Sequence, residues 1–487
     1  MAGLAGVVGE THQSNMIEGM LETIAHRGPD KLRLHRARTF SGGVRASDLS
    51  DARGDGFAQD GRVAVLLDGD IYNERESKKS DAEVALELYK EYGRTFAGHL
   101  EGVFACAIQD EDDVLLARDA VGVRPLYWGT TRAGDFCFAS EAKALVGVSD
   151  DVAELPPGTT YSSKTGLAGY VPQYRPVSVG ACFDEVAEKV RRTMMQAVAR
   201  RLSDGAVGAC LLSGGLDSSI VAAAAKELGA DIPLVTVGME GAPDLRNSKV
   251  MAEHLGMEHH VLLYDAEQVR QSVPRVVWTL ESFDEDCVSG AIANLFASAK
   301  AREFTNCILS GEGGDELFGG YHLLKDLPTE TERLKMMDRL IAIAYNTAVQ
   351  RLDRAMMGNS INYRTPFIDV DVIALARQIP VRWKIHDARD GRLVEKYILR
   401  EAFKGLLPET IYRREKLRFS AGTGTDNSID DVAEEQAETG QSDDVSMTTA
   451  EGYRLNSARE LWYYRLFKER LPSPCFERLV GRWDPDK

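Results

Sequence analysis

The feature that most constrains this 487-residue chain is a short buried strand that runs straight into a glycine loop and then a helix. Val207 to Leu212 reads as the strand, Ser213-Gly214-Gly215-Leu216-Asp217-Ser218-Ser219 as the loop, and the Ala-rich run Ile220 to Leu228 as the helix. Adjacent glycines let backbone N–H groups close on an anion, while serine hydroxyls and a helix N-terminus add donors and positive potential. No Gly-Lys-Ser/Thr follows, so the unit reads as a pyrophosphate grip and not as a Walker loop for γ-phosphate transfer. Asp217 would repel phosphate unless a divalent cation lay between them, which implies Mg²⁺.

A second cluster follows the strand Cys307 to Leu309. Ser310-Gly311-Glu312-Gly313-Gly314-Asp315-Glu316-Leu317-Phe318-Gly319-Gly320-Tyr321 carries five glycines in its first eleven residues, which predicts neither helix nor strand. Three carboxylates in such a loop repel one another without a counter-ion or a task, and Asp315 is the natural partner of Asp217 for the cation. With Leu234 to Val237 as a further strand and long helical periods between, the chain after residue 183 predicts an α/β parallel sheet covered by helices.

Before residue 170 the text differs. Val63 to Leu67, Phe104 to Ile108, Val114 to Ala117 and Phe136 to Ala139 are short apolar runs between Gly and Asp turns, predicting a layered, sheet-rich α+β domain. One helix announces itself through the capping box Ser80-Asp81-Ala82-Glu83. Prolines from Pro156 to Pro176 punctuate the join, giving domains at 1–170 and 183–487, as the length leads one to expect. Residues 426 to 447 turn acidic and polar and read as a mobile surface segment.

A formal charge of −17 with no block of five basic residues argues against nucleic acid as partner. Seven scattered cysteines without a CxxC pair predict reduced thiols, and no apolar run reaches the roughly 18 residues of a membrane span. No charged n-region precedes an apolar stretch at the start, so a soluble, unexported, cytoplasmic protein with no membrane partner is expected.

Taken in order, His26-Arg27-Gly28-Pro29-Asp30, Asp68-Gly69-Asp70-Ile71-Tyr72-Asn73, Ser80 to Val84, Arg118 to Tyr127 and Ser140 to Leu145 resemble a class II glutamine amidotransferase, an Ntn-hydrolase-like domain. The two glycine loops with Arg364-Thr365-Pro366-Phe367-Ile368-Asp369, Glu395 to Arg400 and Lys416-Leu417-Arg418-Phe419 resemble the ATP-pyrophosphatase-type domain of the asparagine synthetase family, whose relatives include the β-lactam and carbapenam synthetases. The resemblance implies an ATP- and Mg²⁺-dependent ligase that activates an acid as acyl-AMP. It places Leu211, Val237, Gly238, Ser310 and Gly311 at the nucleotide, with Ser213, Gly214, Gly215, Ser218 and Ser219 gripping pyrophosphate. Asp217 and Asp315 would hold the metal, Lys416 would stabilise developing negative charge, and Glu312 would be the base that deprotonates the amine. Glu312 replaces the Tyr of the β-lactam-forming relatives, favouring intermolecular amide formation. Homodimerisation is an expectation of the same kind.

Departures from the pattern matter as much. The nucleophilic Cys that follows the initiator Met in such amidotransferases is Ala2, and the oxyanion-hole Asn is Asp68 beside Gly69. A carboxylate there repels the anion it should stabilise, and losing one donor costs on the order of 3 kcal/mol. The glutaminase half is therefore expected to be inactive, with Arg45 and Asp81 as relics of glutamine binding and free ammonia or an amine as nitrogen source. Where relatives show a Thr-Thr-x-Arg-like acceptor stretch, the chain has Asp284 to Gly290 with Ser289 in the Arg position. Aspartate as the acid, another acid and amine joined by a specialised ligase or cyclase, and a non-catalytic scaffold all remain open at this point.

Overall fold

Period-two alternation decides the first half of the fold. In the strand Val63–Ile71 the side chains of Val65 and Leu67 join one core with Ala82, Val84 and Ala85, while Leu66 between them joins another with Leu4, Val44 and Phe138. Two six-stranded antiparallel sheets result, stacked face to face. One runs Ser149–Glu154, Tyr127–Thr131, Phe136–Ala139, Ala2–Val8, Phe40–Ala46, Lys31–Arg36. The other runs Gly166–Gly169, Thr159–Ser162, Asp113–Arg118, Gly102–Asp110, Val63–Ile71, Phe57–Asp60. Helix Asp81–Tyr92, held at its start by the capping box of Ser80 and Glu83, covers the outer face of the second sheet. Helix Ser14–Thr23 lays Ile17, Met20 and Leu21 on the outer face of the first.

The structure, a computed structural model, describes residues 2–9, 14–47, 53–74, 79–172, 180, 182–388, 391–426, 429 and 447–482. The acidic stretch expected to be mobile lies outside the described residues apart from Asp426, Ile429 and Met447. All seven cysteines are free and six are buried. Among the described residues no helix is long and apolar enough to cross a membrane.

From helix Phe183–Leu202 onward the chain builds a five-stranded, all-parallel sheet in the order His259–Leu263, Leu234–Gly238, Ala209–Leu211, Cys307–Leu309, Asn362–Arg364. The strand order reverses between Ala209–Leu211 and Cys307–Leu309. Parallel sheets open a crevice at the carboxyl ends of two such strands, because their following helices depart to opposite sides. Both glycine loops leave the sheet at this place.

Two sequence expectations are corrected here. The first strand is only Ala209–Leu211, and its helix starts at Leu216, so Asp217, Ser218 and Ser219 belong to the first helical turn. Extended Gly215 acts as N-cap and buried Leu216 anchors the turn in the core. The second cluster, predicted to be irregular, contains one helical turn, Gly314–Phe318. Burial of Leu317 and Phe318 drives it, and Gly313 (φ 96°) and Gly319 (φ 74°) confine it by adopting backbone that other residues avoid.

Candidate active site

The two loops touch at Gly311. A Cβ at that position would lie 2.6 Å from the backbone nitrogen of Ser218, so only glycine allows the approach. Within the first loop the hydroxyls of Ser213 and Ser218 are 3.0 Å apart, and Ser218 Oγ accepts from the Ser213 N–H at 3.2 Å. These bonds fix the shape of the loop. Above it opens a cavity of about 350 Å³ whose wall includes Leu211, Val237, Ser213, Gly215, Ser218, Ser310, Gly311 and Glu312. Gly214, Ser219 and Gly238 stand behind that wall: Gly214 backs onto Asn247 and Ser248, Ser219 is fully buried, and Gly238 packs on Leu245.

Charge is concentrated at the floor. Lys396 Nζ bridges the two carboxylates, donating to Asp217 Oδ2 and lying 2.6 Å from Asp315 Oδ1. Lys416 Nζ donates to Asp315 Oδ2 at 2.5 Å. Burial works against each charge, yet Lys396 and Lys416 hold the Asp315 carboxyl well below the usual carboxylate range. Burial pushes the Asp217 carboxyl up, and the neighbouring Asp315 adds to this against the pull of Lys396. Against its own burial, Lys416 is held above the ordinary ammonium value by Asp315 and Asp217. Lys396 sits at φ 53°, in left-handed backbone at the start of helix Tyr397–Phe403, which aims its side chain inward. Buried Glu395 fixes both lysine-bearing segments: Oε1 accepts from the Lys416 N–H at 3.1 Å and from Arg400 at 2.6 Å, and Oε2 lies 2.6 Å from Lys325 Nζ.

Asp217 Oδ1 is buried without a hydrogen-bond partner among the described residues, and Gly314 leaves the space beside it free, since a Cβ there would sit 2.6 Å from Asp217 Cγ. Among the described residues no group of three or more His, Cys, Asp or Glu is arranged to hold a metal. Two carboxylates and an orphaned oxygen suit a cation that brings phosphate oxygens with it, the way Mg²⁺ is usually bound. On the opposite wall Glu312 Oε1 accepts from Arg351 Nη2 at 3.2 Å. Burial raises the Glu312 carboxyl against the opposing pull of Arg351. The stretch Asp284 to Gly290 forms the N-cap and first turns of helix Glu285–Ala301, with Asp284 accepting from the Cys287 N–H at 2.9 Å and Ser289 buried.

The amidotransferase-like residues meet a different environment. Asp68 Oδ1 accepts from the Ala2 N–H at 3.1 Å and Asp68 Oδ2 from Arg27 Nη2 at 2.7 Å, all fully buried. Asp81 accepts from Arg53 at 3.3 Å, and Arg45 pairs with Glu22. Gly69 (φ 150°) lies flat against the neighbouring strand, where a Cβ would be 2.1 Å from Val103 O. Arg27 Nη1 donates to Glu141 Oε1 at 2.9 Å within its own half of the chain and reaches beyond that half to Asp353 Oδ2 at 2.8 Å. The seam continues through Arg124 to Asp353 Oδ1 at 2.8 Å, Arg364 to Asp70 at 3.0 Å and Arg354 to Glu141 at 3.1 Å.

Sequence reasoning thus brought together Asp217, Asp315, Glu312 and Lys416. It missed Lys396, Arg351 and Asp353; Lys396 was legible only as one letter of the Glu395 to Arg400 run.

Comparison with known proteins agrees with this division. The asparagine synthase family matches residues 189–348 and 329–475, and the glutamine amidotransferase domain family matches residues 1–161. Asparagine synthetase [glutamine-hydrolyzing] 2 of Oryza sativa subsp. japonica is 31% identical over 510 residues, covering 96% of this chain and 85% of its own length. The Zea mays enzyme is 30% identical over all of this chain and 89% of its own, and Arabidopsis thaliana asparagine synthetase [glutamine-hydrolyzing] 3 is 32% identical over 96% and 87%. With a glutamine amidotransferase domain ahead of a parallel-sheet synthase domain, the chain belongs to the asparagine synthetase family and is an ATP-dependent carbon–nitrogen ligase.

Proposed function

We propose that this chain activates a carboxylic acid, aspartate in the first instance, as its acyl-adenylate and amidates it with free ammonia or an amine taken from solution. The observation that carries the reading is the convergence of Asp217, Asp315, Lys396 and Lys416 beneath two glycine loops at the sheet's switch point. A carboxylate oxygen of the acid attacks the α-phosphorus of ATP while the bond to the β-phosphate oxygen breaks, and pyrophosphate departs toward Ser213 to Ser219. Lys416 stands where negative charge accumulates during that step, which makes it a stabiliser of the transition state. Mg²⁺ held by Asp217 and Asp315 would screen the phosphate charges. The amine nitrogen then attacks the acyl carbon, AMP leaves with the bridging oxygen, and Glu312, its basicity raised by burial, takes the amine's proton.

Support for solution ammonia or an amine comes from the first half. Where glutamine-hydrolysing relatives need a nucleophile and an oxyanion donor, this chain has Ala2 and a carboxylate already tied to Arg27. The two residues that resemble glutamine-holding groups are engaged by Arg53 and Glu22. A second reading, amidation of an acid other than aspartate, is favoured by buried Ser289 in place of an acceptor arginine.

The adenylation step is tested with acid labelled by ¹⁸O in its carboxyl group. Label found in AMP supports acyl-adenylate formation. Label in inorganic phosphate, or ADP as product, would overturn it.

A further inference from the structure

The phosphate grip occupies the side of the crevice between Ala209–Leu211 and Cys307–Leu309, so a bound nucleotide must lay its base on the neighbouring strand, Leu234–Gly238. The wall there is apolar. Leu211 and Val235 are register neighbours, and Val237 and Ala297 pack in the same cluster, leaving a surface suited to a flat ring. The hydroxyl of Thr236, which also lies in the wall, is spent on Leu212 O and His259. Helix Glu285–Ala301 packs across this strand and presents Asn294 one turn before Ala297. Asn294 is 4% exposed, lies in the cavity wall, and its Nδ2 is buried with no hydrogen-bond partner among the described residues.

A buried amide donor without an acceptor is costly and rare in native structures, so such a group calls for a partner that arrives from outside. We infer that the carboxamide of Asn294 reads the base of the nucleotide and is a determinant of adenine selectivity. The inference rests on the reading that this cavity holds ATP. On its N7 edge adenine offers a donor and an acceptor side by side, the N6 amine next to N7, and an Asn side chain matches that pair with its oxygen and nitrogen. On its N7 edge guanine shows two acceptors, which a carboxamide cannot satisfy together.

The test measures calorimetric binding of ATP, GTP and purine riboside triphosphate, which lacks the N6 amine, to the full chain and to Asn294→Leu. For the unsubstituted chain, ATP is expected to bind on the order of tenfold or more tighter than either analogue, and Asn294→Leu to erase most of that difference. Failure of the unsubstituted chain to bind ATP would overturn both this inference and the nucleotide reading beneath it. ATP binding with the same base preference in Asn294→Leu would overturn this inference alone. Should the variant not fold, the unsubstituted chain still decides: equal affinity for ATP and purine riboside triphosphate overturns the assignment, and a tenfold preference for ATP supports it.

Discussion

Lys416 shows how much of this site depends on single side chains. Its partly exposed ammonium lies beside carboxylates that keep it charged, and its backbone N–H is fixed by Glu395. A cation so placed acts on charge that develops during reaction more than on bound ground state. Lys416→Ala is therefore expected to lower kcat on the order of a hundredfold to a thousandfold with a much smaller change in the KM for ATP, as measured by pyrophosphate release. Equal losses in both would make Lys416 a binding residue only. Residue identities were the most legible level of the sequence for this site, because clustered glycines and like charges in a loop have few structural uses. What escaped was geometry: Lys396 in left-handed backbone gives no compositional signal, and neither does the bridge it makes between Asp217 and Asp315.

At the scale of elements, the helix Ala348–Met357 serves both halves of the molecule. It carries Arg351 toward the cavity, and Asp353 and Arg354 into the seam with the amidotransferase half. Asp353 is the shared counter-ion of Arg27 and Arg124, and all three are fully buried. Breaking a buried pair leaves uncompensated charge, so Asp353→Ala should lose about 3–5 kcal/mol of unfolding free energy in urea titration. A loss within about 0.5 kcal/mol would mean that the seam contributes little. Burial alone would raise the carboxyls of Asp70, Glu141 and Asp353, but the facing basic groups hold all three below their ordinary values: Arg364 and Arg53, His26 and Lys143, and Arg27 and Arg124 respectively. The unfolded chain then binds more protons than the folded one as acid is added. Stability from these groups is expected to be complete above the ordinary carboxylate value near ~4 and to fall as pH drops below it, an acid slope that Asp353→Asn should make shallower. Denaturant midpoints measured from neutral pH downward test this. Strands and helices were legible because their periods are local, and Phe136–Ala139 and Cys307–Leu309 match their sequence ranges. The seam was not, since Arg27 and Asp353 lie 326 positions apart and neither text names its partner.

At the scale of the whole molecule, two halves with differently engaged residues share one chain. The synthase half brings Asp217, Asp315, Lys396 and Lys416 together beneath two glycine loops. The amidotransferase half keeps its layered sheets, but Asp68, Asp81 and Arg45 are each tied to protein partners, and Asp68 is linked through Arg27 to the charged seam that joins the halves. Family and two-part organisation could be read from ordered motifs alone. The use of that first domain could not, because it depends on Asp68 lying against Arg27 rather than facing an open pocket.

The direct test of this division is asparagine and pyrophosphate formation from aspartate and ATP with Mg²⁺, with ammonium in one arm and glutamine in the other. Turnover with ammonium and none above background with glutamine is the expected result. Glutamine-dependent asparagine formation accompanied by glutamate release would contradict it and return the first domain to catalysis.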